Sequence, residues 1–384
     1  MKVYLDYNAT ARPRPEAIEA AARALGIGAN PSSVHADGRT ARQMIELARD
    51  QVGALVGASS QAVAFVSGGA EANALAIFSA VRWGADRILL GATEHDTVRR
   101  NAEESGVPVE TWPVLSDGRA DLDWLVTRLR SGGRPLVCLM AANNETGVIQ
   151  PVSDAARLVA AADGWLHVDA VQAAGKILLS MEDLGADTLS LSAHKLGGPQ
   201  GAAALVAGER AQLHPLFFGG GQESGLRAGT ENLSGIAGFG AAAAVAQAEL
   251  ARIELGLAAD GSQWRDELAA QLCAQGAQVL GAAAPRLSQT LCIAAPGHAS
   301  EVQVMALDLA GVMVSAGAAC SSGRVEPSRV VIAMGRPDLA GFQIRVSGGW
   351  ASTQEDWRRC AEAWLESYER HRRVASSTRA QEFA

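Results

Sequence analysis

Leu189-Ser190-Leu191-Ser192-Ala193-His194-Lys195-Leu196-Gly197-Gly198-Pro199 reads as a buried strand that ends on a lysine and stops at a Gly-Gly-Pro turn. The strand call rests on Thr188–Leu191, and a second candidate, Ala202–Val206, follows at short spacing, a local excursion from strict alternation. Upstream, Ala62–Val66, Arg87–Leu90, Pro135–Met140 and Trp165–Val168 are short apolar runs. The stretches between them, 70–82, 94–104, 121–130 and 153–162, carry helical spacing. Strands alternating with helices imply parallel pairing and an α/β layered domain. Lys195 then sits at a strand end, where such domains bind ligands. A desolvated lysine can shed its charge and form a Schiff base. Taken alone, these residues fit a surface lysine in a loop better.

The chain has 384 residues, 48% apolar and 19% charged, which is enough for a large and a smaller domain and too apolar for bulk disorder. A net charge of −8 gives no electrostatic reason to expect a nucleic-acid footprint. No stretch approaches the roughly 20 uninterrupted apolar residues of a membrane span, and the start lacks a signal-like run. The cytoplasm is the expected compartment. Cysteines stand at 138, 273, 292, 320 and 360, with no C-x-x-C spacing and so no expected metal site. Cys138 and Cys292 lie in apolar runs and read as buried, inert thiols.

Residues 233–273 are Ala-rich with charges at helical spacing, a long helix that Asp260-Gly261 could interrupt. Beyond it, Gln289–Ala294, Val312–Ser315 and Gln343–Ser347 are strand-like, and 300–310 and 353–374 helical. This gives a second α/β unit.

Three more segments carry chemistry. Asp169 ends the strand that includes His167-Val168; a pyridine cofactor needs a carboxylate at its ring nitrogen, although a strand-end Asp is also a common helix cap. Phe65-Val66-Ser67-Gly68-Gly69-Ala70-Glu71-Ala72-Asn73 is a strand, a glycine turn and a helix start, a seat for phosphate that lacks the Gly-Lys-Ser/Thr of a P-loop. Gly317-Ala318-Ala319-Cys320-Ser321-Ser322-Gly323 surrounds one thiol with small residues. Each alone also fits an ordinary turn, cap or loop.

In this order the segments resemble the cysteine desulfurases, pyridoxal-phosphate enzymes of the class V aminotransferase superfamily. The resemblance runs from Tyr4-Leu5-Asp6-Tyr7-Asn8-Ala9-Thr10 to about Ser347. It includes Glu94-His95, Asn143-Asn144-Glu145-Thr146-Gly147, Ser192-Ala193-His194-Lys195 and Arg227-Ala228-Gly229-Thr230-Glu231-Asn232. Cys320-Ser321-Ser322 followed by Glu326-Pro327-Ser328 is similar to the iron–sulfur assembly and nitrogen-fixation group.

The resemblance implies a type I PLP-dependent transferase fold, with a mostly parallel sheet in a large domain over 11–258. A smaller domain would comprise 1–10 and 259–384. It implies that Lys195 holds pyridoxal 5′-phosphate, that Asp169 pairs with the ring nitrogen, and that Gln172 and Asn144 bond the ring hydroxyl side. His95 would stack on the ring and serve in acid–base steps. Ser192, His194 and the amides at Gly69-Ala70 would hold the phosphate, joined by Thr230 from the partner in a homodimer. Asn8 and Arg345, with Asn144 nearby, would take the substrate carboxylate, and Cys320 would be the nucleophile that carries sulfur from L-cysteine to an acceptor such as an iron–sulfur scaffold, or toward tRNA thiolation.

The chain departs from the family pattern at Ala70, where the family usually has a threonine, at Ser224, where an arginine is common, and at Trp350 after Gly349. Other readings are another class V enzyme (a selenocysteine lyase or an aminotransferase) and a non-catalytic sulfur-relay protein. Cys320 speaks against a transaminase. Lys195, Asp169, His95 and Cys320 together speak against a relay without catalysis.

Overall fold

The computed structural model describes residues 2–317 and 326–382, with side chains described to Arg373. Cys320 therefore lies outside the described residues, as does the small-residue stretch on either side of it.

The chain begins with β1 (Val3–Tyr4), α1 (Pro15–Ile27) and α2 (Ala36–Leu55). Strands and helices then alternate through β2 (Val63–Val66), α3 (Gly69–Trp83), β3 (Arg87–Gly91), α4 (Asp96–Glu103), β4 (Val109–Trp112) and α5 (Leu122–Leu129). They continue through β5 (Pro135–Cys138), α6 (Val152–Ala161), β6 (Trp165–Asp169), α7 (Met181–Leu184), β7 (Thr188–Ser192) and β8 (Ala203–Ala207). The sheet order is β2-β8-β7-β6-β5-β3-β4. Only β8 runs against its neighbours, pairing antiparallel with both β7 and β2. That is the excursion expected from the short spacing after Lys195. β2, β3, β5, β6 and β7 thus point the same way and end on the same edge.

After β8 come α8 (Leu233–Glu254) and α9 (Ser262–Cys273), separated where Gly256 and Gly261 adopt positive φ. β9 (Gln278–Val279), β10 (Thr290–Ala294), α10 (Ser300–Leu309), β11 (Val312–Met313), β12 (Ser315–Ala316), α11 (Arg329–Ala333), β13 (Gln343–Ser347) and α12 (Gln354–Glu382) follow. The expected strand over Val312–Ser315 is divided. β11 pairs in parallel with β1, and β12 joins an antiparallel sheet ordered β12-β13-β10-β9. Its two halves face different partners, so one apolar run serves two sheets.

One buried core lies around β2, β5–β8, α2 and α8; another joins Val3 and Leu5 to α9, β10, β13 and α12. On these two cores we propose the division into 11–258 and 1–10 with 259–384.

α8 is long and apolar enough by composition to cross a membrane, yet its apolar side is buried against α1 and α2. Its glycines permit that contact. A Cβ on Gly240 would lie 2.5 Å from the Cα of Ala48, and one on Gly238 would lie 3.0 Å from the Ala17 carbonyl. Gly240→Ala is therefore expected to lower unfolding free energy by about 1–3 kcal/mol through overpacking. Urea titration checks this; a midpoint equal to that of the unaltered chain would refute it.

Candidate active site

The shared edge of the parallel strands forms a cavity of about 670 Å³. Ser67–Ala70 after β2, His95 after β3, Met140 and Asn144 after β5, Asp169 from β6, and Ser192, His194 and Lys195 from β7 all line it. Gln172 and Arg345 also line it, with Asn8 from the N-terminal segment.

α3 starts at this cavity with no side-chain cap on Gly68, so the helix start offers backbone N–H groups and the positive end of its dipole. Ser192 and His194 stand beside it. Burial, then the neighbouring Lys195 and Lys176, hold the His194 imidazole at a pKa of about 4. Ala70 is exposed and brings no hydroxyl.

Asp169 is buried and accepts from Asn73 Nδ2 at 3.0 Å and from the Val171 amide at 3.0 Å. Asn73 also presents its Oδ1 to His167 Nε2 at 3.0 Å. Glu94 lies half-buried behind this group, accepting from the Met140 amide; burial and then Asp169 push its carboxyl well above the usual range.

Lys195 Nζ donates to the carbonyls of Asn8, at 2.6 Å, and Ala9, at 2.8 Å. His95 caps α4, with Nδ1 accepting from the Thr97 amide at 3.2 Å. In that role Nδ1 carries no proton, which leaves Nε2 as the N–H of the neutral ring.

Arg345 is buried, donating from Nη2 to Asp6 at 2.7 Å and from Nη1 to the Asn144 carbonyl at 3.2 Å, while its Nε has no partner among the described residues. A guanidinium has five N–H bonds, so three stay available to a carboxylate. Asn8 has both Nδ2 hydrogens engaged, on the Asn144 carbonyl at 3.1 Å and Thr290 Oγ1 at 3.0 Å.

Thus the cavity brings together Asn8, Gly69, Ala70, His95, Asn144, Asp169, Gln172, Ser192, His194, Lys195 and Arg345. Thr230 is exposed and is not among the residues lining it. Of the described cysteines, Cys138, Cys292 and Cys360 are buried with thiols pushed up by burial, as read for the first two, while Cys273 is exposed. Asp6, Asn73 and Lys176 escaped the sequence reading of the site. Lys176 had a signal: a charged residue four places after Gln172 in Ala-Ala-Gly surroundings.

Residues 3–359 match the family described as Aminotransferase class-V. The chain belongs to the class-V aminotransferase family. Its relatives in that family include a cysteine desulfurase of Cereibacter sphaeroides, 42% identical with 92% of each chain covered. Another, named cysteine desulfurase IscS, from Dictyoglomus turgidum, is 37% identical over 92% of this chain and 91% of that protein. Among solved structures, a NifS-like protein from Rickettsia africae superposes with a TM-score of 0.86 at 30% identity, covering 96% of this chain and 100% of its own. The α/β fold with its mostly parallel sheet is the fold of those class-V relatives.

The polar core behind Asp169 has a measurable acid sensitivity. Burial, only partly opposed by Asp169, lowers the His167 pKa from 6.5 to about 4. A base whose folded pKa is depressed is protonated first in the unfolded chain, so its share of stability is intact above pH 6.5 and is lost as pH falls toward 4. His167→Asn should make stability less steep in pH by about 1.4 kcal/mol per unit in that window. Urea unfolding at several pH values measures it, and an unaltered slope would refute the assignment.

Proposed function

We propose that this chain is a cysteine desulfurase that converts L-cysteine to L-alanine and moves the sulfur, as a persulfide on Cys320, to an acceptor protein. The observation that carries the reading is the meeting, in one cavity, of an amine, a hydrogen-bonded carboxylate, an uncapped helix start and a buried guanidinium with three N–H bonds to spare. That donor set suits pyridoxal 5′-phosphate. Lys195 would hold its aldehyde carbon, Asp169 its ring nitrogen, Gln172 its ring oxygen, and Ser192, His194 and the amides at Gly69-Ala70 its phosphate, with Thr230 of a second subunit completing the seat. Bound there, the cofactor supplies an electron sink for the α-carbon of an amino acid.

The residues of the chain do the rest. Arg345, kept in place by Asp6 and the Asn144 carbonyl, receives the α-carboxylate of cysteine through a bidentate fork. Lys195 accepts the α-proton at Nζ and returns a proton to carbon. His95, with its proton on Nε2, exchanges protons on the side of the substrate thiol. Cys320 attacks the substrate sulfur. The carbon–sulfur bond breaks, a sulfur–sulfur bond forms, the carbon ends protonated as alanine, and the enzyme thiol ends as a persulfide. The acceptor is an iron–sulfur scaffold, with tRNA thiolation as the other outlet, and the setting is the cytoplasm.

Purified protein should be yellow and should release alanine and, with added thiol, sulfide from L-cysteine. Cys320→Ser should lose sulfide release while its spectrum still responds to cysteine; normal sulfide release by that variant would overturn the reading. Ala70→Thr adds a hydroxyl where the phosphate is seated. A hydrogen bond to a charged group contributes about 1.5–3 kcal/mol, so the variant should hold the cofactor at least ~10-fold more tightly. Equal loss of cofactor on dialysis would show that Ala70 costs nothing.

A further inference from the structure

Lys176 is a half-buried amine at the site that the proposed chemistry leaves without work. Its Nζ donates to Asn8 Oδ1 at 3.0 Å and Gln172 Oε1 at 2.6 Å. Both acceptors are neutral amide oxygens, and no carboxylate partner appears among the described residues. The backbone delivers the side chain there at Gly175, which has a φ of 71° and where a Cβ would press on Leu196 and Ala246 at 3.1 and 3.2 Å.

We propose that Lys176 is a positioning residue, a double donor that fixes the orientation of the Asn8 and Gln172 amides. Its two bonds decide which end of each amide faces which way. With Oδ1 taken by Lys176, Asn8 must turn Nδ2 to the Asn144 carbonyl and Thr290 Oγ1. With Oε1 taken, Gln172 must use Nε2 on the Asn8 carbonyl, at 2.8 Å, and keeps its second N–H at the cavity. A ring oxygen there meets a donor. Were Gln172 turned over, it would meet a lone pair.

A neutral amine is sufficient for this. It has two N–H bonds, the number that Lys176 donates. Burial and then the nearby Lys195 and Arg345 hold its pKa well below the lysine range. The groups around it agree: Arg345 is already matched by Asp6, and Lys195 and the neutral His194 offer no negative charge. A charged Lys176 would add an unbalanced cation beside the amine that must give up its own proton.

The inference rests on the cofactor reading above, and its test separates the two. Lys176→Met keeps length and removes both donors; Lys176→Gln restores a neutral NH2; Lys176→Arg restores donors with a permanent charge. Titrating each apoprotein with pyridoxal 5′-phosphate by fluorescence gives its Kd, the loaded protein gives a visible spectrum, and initial rates give KM for L-cysteine. Leaving two buried carbonyls unpaired costs enough for a Kd rise of about tenfold. The Met and Arg variants should show this rise, a displaced visible band and a raised KM. The Gln variant should stay within about threefold of the unaltered chain. The proposal is overturned if the Met variant matches the unaltered chain in Kd, spectrum and KM. If the Met variant does not fold, the Gln and Arg variants decide, and recovery by Arg but not Gln overturns it. An unaltered chain that takes up no cofactor would instead sink the functional reading.

Discussion

Asn8 ties the molecule together. It is 1% exposed, and every polar group it owns is engaged. Its amide donates to Ser347 Oγ at 3.1 Å and its carbonyl accepts from Lys195 and Gln172. Its side chain accepts from Lys176 and donates to Asn144 and Thr290. A buried polar group left unpaired costs about 1–3 kcal/mol, so these partners hold one another in register. They come from the edge of the large sheet on one side and from β10 and β13 on the other. The segment around Asn8 is fixed similarly: Tyr7 donates to Ser347, Ala11 to the His194 carbonyl and Arg14 to that of Gly197. A short N-terminal strap thus sets how the lysine turn meets the sheet that bears Arg345.

The same burial decides which charges the site keeps. Burial holds the Glu94 carboxyl well above the usual range and the His167 and His194 imidazoles at a pKa of about 4, and Lys176 has no carboxylate partner among the described residues. Arg345, by contrast, is buried with a charged partner, Asp6, at 2.7 Å. An isolated buried ion is expensive, whereas a paired and hydrogen-bonded one persists. Asp6 thereby balances the guanidinium at the cavity while occupying only one of its five N–H bonds.

Much of this was legible from order and spacing. Alternating apolar runs located most strands of the large sheet, because strands buried on both faces leave continuous apolar signatures. β4, with only Trp112 buried, left no such run. α1 and α2 fell before the region where alternation begins, although Pro15 and the left-handed Gly28 mark the ends of α1. Lys195, Asp169 and the glycine turn stood out because each interrupts an apolar strand at its end. Asp6 and Asn73 did not, since what distinguishes them is their partners, and those lie 339 and 96 residues away in sequence; Lys176 has one partner four residues back, Gln172, but the other, Asn8, lies 168 residues away.

Glu145 extends the network to the two flanks of the stretch that bears Cys320. It follows Asn144, whose carbonyl receives both Asn8 and Arg345, and it is itself buried. Ser328 Oγ donates to its Oε2 at 2.6 Å, so the chain returning after residue 325 is held there. On the other side, a side chain at Gly317 would collide with Glu145 and Gln343, so only glycine lets the outgoing chain pass. Both flanks of the stretch that bears Cys320 therefore meet at one carboxyl, one residue from the carbonyl that steadies Arg345. The described ends of that stretch and the Arg345 side chain thus share a single support.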